Sequence, residues 1–92
     1  MNITYDPDKR AAILNLWDID LADAGKVFES AHLTVDDDKL GFDTEVLFIT
    51  IGHLSKRMVV LTWTARAHSR HIISIRIANE RENQKYGPRF AE

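Results

Sequence analysis

Three observations on this 92-residue chain predict an α+β fold. Helix-period apolar patterning falls near the two ends, the middle is dense in strand formers, and short turns join the strands. The expected order is β-α-α-β-β-β-β-α. It gives an antiparallel sheet of four to five strands, two N-terminal helices packed on one face, and a C-terminal helix. The length suits one domain over residues 1–92, with one core.

Each element follows from local signals. Residues Asn2–Tyr5 form a short strand with Ile3 and Tyr5 on one side. Asp6 is an N-cap and Pro7 suits the first helical position, where no N–H is needed. Ala11, Ile13, Leu14, Leu16 and Trp17 give a helical stripe, and Asp18 ends it. Asp20 restarts a helix in which Leu21, Ala24, Val27 and Phe28 recur, running to about Ser30. Leu33 and Val35 alternate with polar residues, which predicts a strand ending in an acidic turn, Asp36-Asp37-Asp38. Lys39–Thr44 reads as a loop. Glu45–His53 and Lys56–Arg66 are strands about a turn at Leu54-Ser55. A tight connection, Ala67–Arg70, leads to the last strand, His71–Ala78. Asn79 and Glu82 form a capping box, and Gly87-Pro88 ends the helix that it opens.

Composition narrows the function. With no Cys, disulfide frameworks, thiolate metal sites and Cys nucleophiles are excluded. No apolar run exceeds four residues, so a membrane span or signal core is not expected, and the cytoplasm is the expected location. The net charge of −2 conceals an asymmetry. Residues 1–45 carry four cations against eleven anions, a net of −7. Residues 46–92 carry eight against three, a net of +5. Such a split points to a polyanionic partner on one face; the alternative is mutual neutralisation across the fold.

Strand alternation locates the candidate chemistry. Val59, Leu61 and Trp63 share one face, and Met58, Val60, Thr62, Thr64 and Arg66 share the other. In the next strand Ile73, Ile75 and Ile77 alternate with Ile72, Ser74 and Arg76. One face of the hairpin is then apolar, under the helices. The other gathers Arg66, Ser74, Arg76 and Thr hydroxyls, with His68 and Arg70 in the turn; alternation groups His71 with Ile73, Ile75 and Ile77, but its place at the strand end beside the turn leaves its face undecided. Arg offers a planar fork to phosphate oxygens, and His moves a proton near neutral pH. That set suits cleavage of a phosphodiester by its own 2′-hydroxyl, which requires neither metal nor cofactor. The alternative is a merely solvated face. Asp36-Asp37-Asp38 lacks calcium-loop spacing. His32 and His53 stand alone, Trp17 and Trp63 suit a core, and Tyr86 suits either a core or a base contact.

The segment WTARAHSRHIISIRIANERE, residues 63–82, resembles the BrnT-type ribonuclease toxins of type II toxin–antitoxin pairs, within the RelE-like group. Thr64, Arg66, His71, Ile72, Ile73, Ser74, Arg76, Ala78, Arg81, Glu82 and Tyr86 carry the resemblance. Tyr5-Asp6-Pro7-x-Lys9, Asp20-Leu21-x-Asp23-Ala24 and Val27-Phe28 support it. The resemblance implies an RNA endoribonuclease that inhibits translation. It also implies a cognate antitoxin, a DNA-binding protein encoded by the adjacent gene, through which operator DNA is contacted. The catalytic positions it implies are Arg66, His71 and Arg76, with Arg70, Ser74, His68 and Arg81 as substrate contacts. Two departures stand out. Where many relatives read Lys-His-Gly, this chain reads Leu16-Trp17-Asp18, and Ala65 replaces a Glu common in the family. His71 or His68 is then left to move the proton. The alternative reading is a non-catalytic module that keeps the toxin fold and binds antitoxin or RNA.

Overall fold

Asp6 opens the first helix by accepting the Asp8 N–H at 2.8 Å, in extended backbone, with Pro7 next. This computed structural model describes residues 2–37 and 45–90. Its elements are β1 (Asn2–Tyr5), α1 (Pro7–Trp17), α2 (Gly25–Glu29), β2 (Leu33–Asp37), β3 (Leu47–Leu54), β4 (Arg57–Arg66), β5 (Ser69–Ile77) and α3 (Glu80–Phe90). The α+β fold and its element order are those that the sequence implies. Asp18 ends α1 in the left-handed region, with φ 57°, and the Arg57 guanidinium donates to the Trp17 and Asp18 carbonyls that the helix leaves unpaired.

Several boundaries differ from expectation. The second helix is split. Leu21–Asp23 is a single tight turn under an Asp20 cap, in which Ala24 N–H bonds the Leu21 carbonyl, and only Gly25–Glu29 is α-helical. Asp36 and Asp37 belong to β2 rather than a turn, because their backbone pairs with Phe48 and Leu47. Asp38 and the Lys39–Thr44 loop lie outside the described residues. Arg70 is in β5, opposite Ala65. Helix α3 continues through Gly87-Pro88 to Phe90. A proline there removes one bond, to the carbonyl of exposed Gln84, which water can satisfy.

The sheet order is β1-β5-β4-β3-β2. Strands β2 to β5 form an antiparallel meander, while β1 pairs parallel to β5 over Ser69–Ile72. The meander β2 to β5 leaves free edges at β2 and β5, and β1 occupies that of β5. Ile3 and Tyr5 thereby turn towards the core.

Both faces are packed. On one, Leu21, Ala24 and Val27 cover Val59, Leu61, Trp63, Ile72 and Ile75. Trp63 stacks on Phe48 at 4.7 Å between ring centres, and its indole N–H donates to buried Thr50 at 2.8 Å. On the other face, Tyr86 and Phe90 of α3 pack on Ile51, Met58, Val60 and Ala78, so Tyr86 is a core anchor. A capping box seats α3: Glu82 accepts the Asn79 N–H at 2.9 Å, and Asn79 accepts the Glu82 N–H at 2.8 Å.

Candidate functional site

The β4–β5 register carries the central feature. Thr62 pairs with Ser74, but Trp63 pairs with Ile72, so Ile73 is an extra residue in β5. Such a bulge reverses the alternation beyond it. Ile72 therefore joins Ile75 in the core instead of sharing a face with Ser74 and Arg76. His71 moves the other way. It lies opposite Thr64, on the face of Arg66, Thr62 and Ser74.

On that face Asp6, Lys9, Arg66 and His71, with Ile72 and Ile73, line a cleft of about 140 Å³. His71 is held through Nδ1, 2.8 Å from the Thr4 hydroxyl of the neighbouring strand, which leaves Nε2 for a ligand. Lys9 Nζ donates to the Ile73 carbonyl at 3.1 Å, so the bulge also positions this cation. Arg66 pairs with Glu45 at 3.2 Å, and both side chains are about half exposed. An exposed pair of this kind is weak and opens readily to a competing phosphate. The Lys9 contribution was not singled out from the sequence. Its signal is the spacing Asp6-Pro7-x-Lys9, which puts an ammonium one turn into a helix that starts at the cleft.

Arg76 lines a second, neighbouring groove of about 300 Å³ with Lys9, Ser74 and apolar residues. Its guanidinium donates twice to Glu82, at 2.7 and 2.8 Å. The Arg76 hydrogen bonds hold the Glu82 carboxyl below the usual carboxylate range, and the same bonds raise Arg76 further. Arg76 thus ties β5 to the start of α3, and one edge of its fork is occupied.

The remaining candidates scatter. Arg70 lies on the opposite face, its guanidinium carbon 3.9 Å from the Phe28 ring centre and 5.2 Å from that of Trp63. His68 is exposed in the Ala67-His68 turn, and Arg81 is exposed on α3. Thr64 is buried, and its hydroxyl donates to the Val46 carbonyl. His32 bonds the Ser30 carbonyl, and His53 meets the Phe90 ring edge-on.

No helix among the described residues is long and apolar enough to cross a membrane. A search of curated proteins finds no match to this chain. A family model does match, over residues 5–82: the ribonuclease toxin BrnT of type II toxin–antitoxin systems. The matched span runs from the end of β1 through both clefts to the start of α3, and such membership implies an RNA substrate and a cognate antitoxin. This chain belongs to the BrnT family of ribonuclease toxins.

Proposed function

We propose that the chain is a metal-independent endoribonuclease that arrests translation, with the cleft of Lys9, Arg66 and His71 as its centre. The observation that supports this most is the convergence of two cations and an orientable imidazole on one small cleft. In this reading the RNA 2′-hydroxyl attacks phosphorus, and the bond to the 5′-oxygen breaks. The products are a 2′,3′-cyclic phosphate and a 5′-hydroxyl. Lys9 and Arg66 stabilise the added negative charge, Arg66 by releasing Glu45. His71 moves one proton, and Asp6 is the carboxylate of the same cleft that can move the other. Arg76 and Ser74 would hold the adjoining nucleotide, with His68 and Arg81 at the periphery. The antitoxin is read as a DNA-binding protein from the adjacent gene, with operator DNA contacted through it, and the cytoplasm as the site of action.

The test is cleavage of RNA by the purified protein in EDTA, followed by product end-group analysis. His71→Ala should slow cleavage by about 10²–10⁴-fold, the usual worth of a general acid or base, with unchanged thermal unfolding. RNA left intact by the wild-type protein, and no growth arrest on induction, would sink the enzymatic reading. A second reading, a non-catalytic antitoxin- or RNA-binding module, is favoured by the engagement of Arg66 and Arg76 by carboxylates. It predicts binding to RNA or antitoxin with no cyclic phosphate formed.

A further inference from the structure

His71 is served by a residue that does not line the cleft. Strand β1 pairs parallel to β5, and its register sets Thr4 opposite His71, with Ile3 opposite Arg70 and Tyr5 opposite Ile72. Ile3 and Tyr5 pack towards the core, so alternation turns Thr4 to the other face. The bulge at Ile73 brings His71 to that same face. The Thr4 hydroxyl then lies 2.8 Å from His71 Nδ1. Thr4 itself is exposed, and it stands outside the cleft lining. It also lies just before residues 5–82, so membership of the family assigns it nothing.

We propose that Thr4 is a positioning residue for His71: its hydroxyl oxygen accepts the Nδ1–H and so keeps the proton exchange of the cleft at Nε2. The inference rests on the ribonuclease reading above. A neutral imidazole carries its one N–H on either nitrogen, and a bond made by one nitrogen selects the tautomer. A charged imidazole carries both, so Nδ1 can only donate, and the Thr4 oxygen accepts. Accepting in the neutral form as well leaves the hydroxyl and the ring in place when Nε2 gains or loses its proton. The exposed Thr4 O–H bonds water throughout. The reverse bond, from O–H to Nδ1, would put the neutral ring's proton on Nε2, the nitrogen that has to exchange it. Asp6 at the cap of α1, Lys9 of α1 and Arg66 of β4 line the cleft with the ring. Among the described residues, none of them bonds Nδ1. In the cleavage step the proton at Nε2 passes to the 5′-oxygen or comes from the 2′-hydroxyl, and the second group of the cleft makes the opposite transfer. Nδ1 keeps its own proton on Thr4 at every stage.

The test compares Thr4→Val, which keeps the branched strand side chain and removes the hydroxyl, with Thr4→Ser, which keeps the hydroxyl. Nitrogen-15 NMR of the neutral His71 ring in the full chain should show the Nδ1–H tautomer in the wild type and in Thr4→Ser. Thr4→Val should lose that preference. Its kcat for RNA cleavage should fall about 10–100-fold, the scale of a partner that orients a histidine. KM and thermal unfolding should stay unchanged, because Thr4 is exposed and lies outside the cleft. Thr4→Ser should restore kcat. A wild-type ring with its neutral proton on Nε2 overturns the proposal, as does Thr4→Val with the wild-type tautomer or the wild-type kcat. A loss of rate that Thr4→Ser does not restore also overturns it, since strand packing rather than the hydroxyl is then at work. RNA left uncut by the wild-type chain sinks the ribonuclease reading and the rate effect with it. The wrong tautomer in an active enzyme sinks only the role of Thr4.

Discussion

Lys9 and Arg76 show how one side chain serves two clefts or two elements at once. Lys9 lines both clefts and is held by the bulge carbonyl. Arg76 sits beside the same groove but is bonded to Glu82, which also caps α3. Arg76→Ala should therefore cost stability as well as any RNA contact. With the pair partly exposed, the loss should be about 1 kcal/mol, read as a lower urea midpoint. An unchanged midpoint would mean that the pair does not anchor α3. Arg66 was legible as a site residue because simple alternation from Val60 to Arg66 holds along β4. For His71 the sequence left the face undecided. Nothing in Ile72-Ile73-Ser74-Ile75 marks which isoleucine is the extra one, since any of them satisfies either face. Arg70 was legible as a cation near the turn, but its stacking on Phe28 requires knowing that α2 folds back over that corner.

At the scale of elements, two glycines in contrasting surroundings give opposite expectations. A Cβ on Gly52 of β3 would lie 2.7 Å from a Val27 methyl and 3.3 Å from the His32 Cβ, because α2 packs directly on the strand there. Gly52→Ala should destabilise by about 1–3 kcal/mol through overpacking. Gly87 is in α3, and a Cβ there would meet nothing within 4 Å. Gly87→Ala should stabilise by about 0.5–1 kcal/mol through helix propensity. Thermal unfolding of both variants checks the pair, and equal shifts of the same sign would refute it. The helix starts were legible because Asp6, Asp20 and Asn79 cap through bonds between near neighbours in the chain. The helix ends and the β1 pairing were harder, because they depend on distant groups. Arg57 closes α1 from β4, and β1 finds its parallel partner 67 residues on, as the Thr4–His71 bond shows.

At the scale of the whole molecule, one ion pair among the described residues, Arg66–Glu45, joins the acidic first half to the basic second half, and the others lie within a half. Arg10 donates to Asp20 at 2.7 and 2.8 Å within the first half, and Glu45 and Glu82 hold Arg66 and Arg76. The Arg10 hydrogen bonds, with the Ala22 N–H, bring the Asp20 carboxyl down to about 2. Glu82 shifts in the same direction. A carboxyl with a depressed folded pKa contributes stability that is full above its unfolded value, about 4, and is lost as pH falls through the folded value. The protein should therefore lose stability between about pH 4 and pH 2, measured as the urea midpoint across that range. Asp20→Asn should flatten the fall; an identical acid profile in that variant would rule the pair out as a cause.

The bulge at Ile73 has a further consequence for how such a site can change. The chain N-terminal to it, His71 included, is set one residue out of phase with the strand beyond it. Were Ile73 taken into the ladder opposite Trp63, His71 would shift opposite Ala65 and turn towards the helices, with no substitution at any residue; removing Ile73 would instead leave His71 opposite Thr64. The chemistry on this sheet is therefore governed by strand register as much as by residue identity.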